Sequence, residues 1–237
     1  MKILHVVGGD LSGGAARGAY WLHNALNRGG IESKLIVSRA SRINDPNVIE
    51  IEQSKVDKLK NMVRSQLDQI PLYIYRKRDR YIFSSAIVGY DITKIKQYKE
   101  ADIIHFHWIN GGLNNIKLFA KIKKPIVWTF RDMWPFTGGC HYAGTCEKFK
   151  SNCGKCPHLA SNTNFDLSRY IIKRKKRNFE TNIYPVAISN WLKECAEQSS
   201  LFKNNESNKL VSVIIPVYNR DKPVSYTHLT LPTICSV

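Results

Sequence analysis

Short apolar runs alternate along the chain with glycine-containing loops and with stretches whose apolar residues recur at helical spacing. The short apolar runs predict strands at 3–7, 34–37, 101–106, 125–130, 185–188 and 210–217. The helical spacing predicts helices at 15–27, 56–70, 115–122 and 169–180, and another beginning at Trp191. Strands that alternate with helices are typical of a parallel sheet covered by helices. We therefore predict an α/β fold.

Polar residues at the helix starts support this assignment. Asp166 or Ser168 can cap the basic helix RYIIKRKKRNFE, and Ser189 with Asn190 can cap the last helix. Residues 51–83 fit the alternation less well, because a polar helical pattern runs into Pro71 and then into the basic, aromatic segment YIYRKRDRY. We expect this region to lie on the surface, outside the sheet.

The net charge of the chain indicates which kinds of binding partner to expect. The 237 residues include 36 Lys and Arg against 19 Asp and Glu, a net charge of +17. Such an excess favours nucleic acid, anionic lipid or phosphorylated substrates. No helix-turn-helix, zinc-finger or RNP pattern is present, so no nucleic acid is expected as a partner. The basic segments 76–80 and 169–177 would suit anionic headgroups, at about 1 kcal/mol per cation.

Neither a signal peptide nor a membrane-spanning run is recognisable in the sequence. The N-terminal apolar run stops at Gly8, Gly9 and Asp10, and no later run reaches the length of a spanning helix. We therefore expect a cytosolic protein that can rest on a membrane. Six cysteines in such a protein favour thiols or metal binding over disulfides.

The loop GGDLSGG joins the first predicted strand to the first predicted helix. Its glycines, Gly13 and Gly14 among them, allow close approach of the backbone to a ligand, and the start of a helix favours an anion. The pattern is neither GxGxxG nor a P-loop, so it predicts no nicotinamide site. A plain turn between strand and helix is the alternative.

The apolar run 125–130 ends abruptly at Arg131 and Asp132. Open α/β folds bind ligands at the carboxyl ends of their strands, so this position predicts a site. Asp132 is the candidate general base or charge partner, with Arg131 beside it and His141 nearby.

His105 and His107 stand two residues apart at the end of a predicted strand and therefore point to the same side. One can face a ligand while the other packs at the edge of the sheet. Ordinary buried histidines are the alternative interpretation.

Four cysteines follow the 125–130 strand: Cys140, Cys146, Cys153 and Cys156. Zinc prefers four soft ligands in a tetrahedron, and a Cys-x-x-Cys turn supplies half of such a set. His141 is a substitute ligand. Buried thiols or a disulfide are the alternatives to structural zinc.

Four segments together resemble a known family. These are GGAARGAYWLHNAL, ADIIHFHWINGG, KPIVWTFRDMWPFTGGCHY with its trailing Cys-x-x-Cys-Pro, and VAISNWLKECAEQSSLFKN. They resemble the N-terminal domain of bacterial family-4 retaining glycosyltransferases that build exopolysaccharide, capsule or O-antigen. The resemblance runs from Met1 to about Asn204, and the DMWPFTGGCHY block is its most specific part.

The resemblance implies a GT-B architecture, of which residues 1–204 would be the Rossmann-like, acceptor-binding half. Such enzymes transfer a sugar from a nucleotide-sugar to a saccharide acceptor, here lipid-linked, at the inner face of the cytoplasmic membrane, and need no catalytic metal. Gly13, Gly14 and Arg17 would border the substrates, and His107 would line the cleft.

The same resemblance assigns roles to the residues after the 125–130 strand. Arg131 stands where many members carry histidine, so it would neutralise phosphate. Asp132 would touch an acceptor hydroxyl, and His141 would contribute to substrate binding.

The chain departs from the family after Asn204. Residues 205–223, with KLVSVIIPVYNRDKP, resemble the opening strand of the unrelated family-2 transferases or a variant of the expected strand. Residues 224–237 fit neither family and look like an artefactual tail. We therefore expect a truncated, inactive fragment. The functional alternatives are a zinc-stabilised module that binds anionic glycan or lipid, and a basic nucleic-acid binder.

Overall fold

The protein, seen here in a computed structural model that describes residues 1–39, 43–179, 182–203 and the backbone of 211–212, contains one parallel sheet. Within those residues the strands are β1 (Lys2–Val6), β2 (Glu32–Val37), β3 (Val48–Glu50), β4 (Ile103–Phe106), β5 (Ile126–Phe130), β6 (Ile183–Ala187) and β7 (Val211–Ser212). They lie in the order β3-β2-β1-β4-β5-β6-β7, and every neighbouring pair is parallel. The predicted Rossmann-like α/β fold is confirmed.

The α-helices of the described residues are α1 (Gly14–Arg28), α2 (Lys55–Gln69), α3 (Lys96–Glu100), α4 (Leu167–Asn178) and α5 (Asn190–Gln198). Two of the predicted caps form. The Asp166 carboxylate accepts a hydrogen bond from the N–H of Arg169, and the Ser189 hydroxyl accepts one from the N–H of Leu192. Each cap satisfies one of the free N–H groups at a helix start.

Four elements differ from the sequence prediction, and one of them, the short helix α3, was not predicted at all. The edge strand β3 was not predicted, because three half-buried residues are too few to show an alternating pattern. The predicted helix 115–122 is a 3-10 helix at Ile116–Lys121, since so short a run gains little from α-helical propagation. The strand predicted at 210–217 is described at Val211–Ser212, paired with β6, and residues 213–237 lie outside the described range.

The basic helix α4 belongs partly to the core. Lys175 is fully buried, and its ammonium group donates to the carbonyl oxygens of Trp134 and Thr137 and lies 3.6 Å from the centre of the Trp134 ring. Arg174 is also buried and donates to Asn115. The expectation that the cations of 169–177 face lipid headgroups is therefore wrong for these two, because Lys175 holds the loop after β5 and Arg174 holds the segment between β4 and β5.

The sheet topology determines where a ligand can bind. The chain runs outward from β1 through β2 to β3 and then returns to pair β4 with the other side of β1. At such a switch point the loops that follow the two central strands diverge and leave a crevice at the carboxyl edge. The loops after β1, β4 and β5 carry the Gly8–Gly14 segment, His107 and Arg131 respectively.

Candidate active site

The loops after β1 and β4 are in direct contact. The N–H of Gly8 donates to the carbonyl of Trp108 at 2.6 Å, and a Cβ at Gly8 would lie 2.8 Å from the carbonyl oxygen of Asn110. Only glycine permits this approach. The contact fixes the loop that leads into α1, so the helix start is held at the carboxyl edge of the sheet.

The start of α1 has the character of an anion-binding site. Gly13, the residue that precedes the helix, offers no side-chain cap, and the first turn contains no acidic residue. Gly13 and Gly14 are exposed, and added Cβ atoms there would meet nothing within 4 Å. The free N–H groups and the helix dipole therefore remain available to a negative group.

Arg131, at the end of β5, lies against the second turn of α1. A Cβ at Gly18 would be 2.8 Å from the Nη1 atom of Arg131, so the absence of a side chain at Gly18 makes room for the guanidinium group. Nη2 of Arg131 lies 3.4 Å from Nδ1 of His107, and its Nε atom is buried with no hydrogen-bond partner. Burial lowers the pKa of Arg131, because the charged form loses hydration.

No acid neutralises Arg131 within the described part of the chain. The adjacent Asp132 turns its carboxylate to His141 instead, at 2.6 Å from Nδ1. A partly buried guanidinium group without an acidic partner is costly, and an anionic ligand would offset that cost. The structure thus places His107, Arg131 and the second turn of α1 side by side, and their role as a binding site stays a prediction.

Beneath Arg131 lies a row of three buried histidines, His5, His105 and His107. The rings of His105 and His107 stack at 4.3 Å between centroids, and Nδ1 of His5 lies 3.0 Å from Nε2 of His107. Nε2 of His105 lies 2.8 Å from the hydroxyl of Thr129. Each histidine thus has a neutral polar partner, which favours the uncharged rings.

Burial is the main reason why the pKa values of these histidines are low. It lowers the pKa of His5 and His107 well below their usual value and that of His105 to about 3, with the nearby charge of Arg131 adding to the effect at His105 and His107. The row is therefore neutral at ordinary pH. Only 2% of the surface of His107 is exposed, so Arg131 lies between it and any ligand, and its predicted role in the cleft stays a prediction.

The three histidines also have the spacing of a metal site. One nitrogen from each ring lies within 4.8 Å of the other two. Among the described residues, this is the group of histidine, cysteine or acidic side chains that is close enough to hold a metal ion. A cation there would lie next to the guanidinium of Arg131, with no carboxylate among its neighbours to offset the repulsion. A hydrogen-bonded histidine row is the better description.

Asp132 and His141, both predicted site residues, form a buried pair. One oxygen of Asp132 accepts from Nδ1 of His141 at 2.6 Å and the other from the N–H of Trp134 at 2.9 Å. Nε2 of His141 is then free to accept from the hydroxyl of Ser84 at 2.9 Å. The pair fixes the turn after β5, and its role toward a substrate stays a prediction.

Arg17 does not join the other predicted site residues. Its side chain is exposed, and its guanidinium carbon lies 5.4 Å from the centre of the Trp21 ring on the same helix. It stands one position from Gly18 and therefore faces a different side of α1 from Arg131. Its predicted role in substrate binding remains untested.

The four loop cysteines surround one small cavity that Phe83, Phe149 and His158 also line. Cys140, Cys146, Cys153 and Cys156 are all free thiols. Backbone N–H groups donate to the sulfur atoms of Cys153 and Cys156, while burial raises the pKa of Cys140 and Cys153 to about 12. The cysteines are brought together without a disulfide.

Sequence reasoning missed His5, Gly18 and Ser84. A histidine inside the apolar run of β1 was the available signal for His5, since it faces the same side of the sheet as its strand neighbour His105. Gly18 inside an otherwise regular helix was the signal for a close approach, because glycine weakens a helix. Ser84 carries no such signal, because its contact with His141 spans 57 residues.

Comparison with known proteins places this geometry in a functional context. No protein-family profile matches the chain. Over 63 residues it is 40% identical to the putative colanic acid biosynthesis glycosyl transferase WcaC of Escherichia coli (strain K12). That match covers 24% of this chain and 15% of the length of WcaC. Together with the parallel α/β sheet, this local similarity supports a relation to glycosyltransferases.

Proposed function

We propose that this chain is the acceptor-binding half of a family-4, GT-B glycosyltransferase. The intact enzyme would transfer a sugar, with retention, from a nucleotide-sugar to a lipid-linked saccharide in surface polysaccharide synthesis at the inner face of the cytoplasmic membrane. The observation that carries the proposal is the guanidinium of Arg131, which has no acidic partner among the described residues and lies against the second turn of α1, a helix whose start is uncapped. The local similarity to WcaC supports the transferase class.

The chemistry of sugar transfer explains why such a site is needed. The bond between the anomeric carbon and the diphosphate oxygen breaks, an acceptor oxygen forms the new bond, and the diphosphate leaves with added negative charge. Arg131 and the N–H groups of α1 would stabilise that charge. The two hydrogen bonds of Asp132 leave capacity for a third, from the acceptor hydroxyl, whose proton would pass to the oxygen of the leaving diphosphate.

Transfer activity tests the proposal directly. We expect the product of the complete gene to move label from one member of a panel of UDP-, GDP- and dTDP-sugars into a lipid extract of the source cells. Residues 1–222 alone should transfer none, since a GT-B enzyme binds most of its donor on the second domain. Appreciable transfer by residues 1–222, or none by the complete protein with any donor, would contradict the proposal.

For cofactors, we propose that transfer requires none and that the cysteine loop holds one structural zinc ion. The four thiols line one cavity, and Cys153 and Lys155 adopt the left-handed backbone that a tight Cys-x-x-Cys turn uses. In the structure no three of the sulfurs are as close together as the nitrogens of the histidine row, so zinc would draw them inward.

Elemental analysis of the purified chain should find about one zinc per molecule, because four soft ligands match the preference of zinc. Cys153→Ser should lose the metal and lower the midpoint of thermal unfolding, whereas Cys195→Ser, outside the loop, should keep it. A metal-free protein with all four thiols reactive toward a thiol reagent would exclude the zinc site.

A further inference from the structure

The helix α2 contributes almost nothing to the core. Of its 15 residues the one buried side chain is a carboxylate, Asp68. That carboxylate accepts hydrogen bonds from the hydroxyl of Ser85 and from the N–H groups of Ala86 and Ile87, which anchors the C-terminal end of the helix. Most helical stability in proteins comes from packing of an apolar face, and α2 has no such packing against the described residues.

An apolar stripe nevertheless runs the length of α2 and faces solvent. Its members, each between 44% and 59% exposed, are Val56, Leu59, Met62, Val63, Leu67 and Ile70. At 3.6 residues per turn these positions fall within an arc of about 140°, which also contains the exposed Lys55 and Gln66. Tyr73 and Ile74, which are 67% and 81% exposed, extend the apolar surface beyond the helix. Exposed apolar surface of this extent marks a site of interaction.

Cations border this stripe on both sides. At helical spacing the exposed Lys58 lies on one edge of the stripe and the exposed Lys60 on the other. Arg76, Lys77 and Arg80 follow and are also exposed. The acids of the helix are the buried Asp68 and Asp57, whose carboxylate is held by the Ser54 hydroxyl at 2.6 Å. An apolar face with cationic edges is the pattern of helices that lie in the surface of an anionic bilayer.

We propose that α2 and the segment after it, through Arg80, form the surface by which the protein docks on an anionic lipid bilayer. The apolar stripe would enter the boundary between headgroups and acyl chains, and the bordering cations would contact the headgroups. Charge complementarity selects a membrane over a second copy of this chain, since two copies of this face would bring like charges together. No helix of the described residues is long and apolar enough to cross a membrane.

The docking surface adjoins the candidate active site. A Cβ at Gly112, in the loop after β4, would lie 3.0 Å from the backbone nitrogen of Ser65, so α2 packs directly on that loop. The same loop begins with His107 and Trp108. A membrane-bound α2 would therefore place the carboxyl edge of the sheet near the lipid surface. The bilayer would then deliver a lipid-linked acceptor to this edge, a step that rests on the proposed glycosyltransferase function.

Vesicle flotation tests the docking surface without reference to transfer. We expect the chain to bind vesicles of phosphatidylcholine with 30% phosphatidylglycerol at least tenfold more tightly than pure phosphatidylcholine vesicles. Leu59→Glu combined with Leu67→Glu should weaken binding to the anionic vesicles by at least tenfold, because both side chains are exposed and their loss leaves the core intact. The matched control is Phe165→Glu, which is 83% exposed and lies outside the stripe.

Three outcomes would overturn the docking surface. The first is that the chain does not bind anionic vesicles. The second is that Phe165→Glu weakens vesicle binding as much as the Leu59/Leu67 variant does, with circular dichroism unchanged in all variants. The third is that the protein is a dimer that binds no vesicles, and that this dimer dissociates in the Leu59/Leu67 variant. Vesicle binding without sugar transfer by the complete protein would overturn the proposed function alone. If the docking surface and the proposed function are both correct, the Leu59/Leu67 variant should transfer sugar normally to detergent-solubilised acceptor and poorly to acceptor in vesicles.

Discussion

Arg131→Gln is expected to weaken binding of inorganic pyrophosphate to this chain about 30-fold. The substitution keeps much of the size of the side chain but removes a positive charge that has no acidic partner among the described residues. A charge-assisted hydrogen bond contributes about 2 kcal/mol, and 1.4 kcal/mol corresponds to a factor of ten. Isothermal titration calorimetry at low ionic strength would measure the loss.

The stability of the same variant separates ligand binding from a structural role. An unpaired guanidinium that is partly buried destabilises the fold, so Arg131→Gln should unfold at the same temperature as the wild type or at a higher one. Arg28→Gln, at the exposed C-terminal end of α1, is the matched loss of charge and should bind pyrophosphate normally. A large fall in stability with unchanged pyrophosphate affinity would show that Arg131 serves the fold instead.

The sequence predicted the sheet well because its strands carry a local signal. Strands such as β1 and β5 are short apolar runs bounded by glycine or charge, and burial on both faces makes that pattern strong. The edge strand β3 is half buried and three residues long, so its pattern was too weak to detect. The caps at Asp166 and Ser189 were predictable because the side chain of a capping residue bonds to a backbone N–H group only three residues further along the chain.

The sequence indicated where on the sheet the candidate site lies, but few of the contacts within it. Strand ends predicted Arg131 and His107, because the carboxyl edge of a parallel sheet collects them. The role of His5 required knowledge of strand order, since β1 and β4 are separated by about 100 residues in the sequence. The burial of Lys175 was hidden by the cationic run around it, where periodicity gives no sign that one lysine reaches two backbone carbonyls.

Acid is expected to unfold the protein at a mild pH because of the buried histidine row. In the unfolded chain His5, His105 and His107 take up protons near pH 6.5, whereas burial keeps their folded-state pKa values well below that. Between these limits the unfolded state binds more protons, so the free energy of unfolding decreases as the pH falls. For three groups the loss approaches about 4 kcal/mol per pH unit.

By pH 5 the expected loss is about 6 kcal/mol, which is comparable to the whole stability of many domains. Urea unfolding followed by circular dichroism from pH 5 to 8 would measure it. This window excludes the carboxylates whose pKa is lowered, such as Asp10 and Asp91, because they take up protons at lower pH. It includes His23, whose pKa burial also lowers, so His23 adds to the loss in the same direction. A change of less than one bound proton per molecule between pH 6.5 and 5 would contradict the neutral row.

Arg131 links this acid sensitivity to the candidate site. Its charge contributes to the low pKa of both His105 and His107, so Arg131→Gln should raise both values and reduce the dependence of stability on pH. Bound pyrophosphate should act in the same direction, since it offsets the charge of Arg131. Histidine C2–H resonances that titrate at higher pH in the variant, and in the wild type with pyrophosphate, would establish that one cation governs both the anion site and the histidines beneath it.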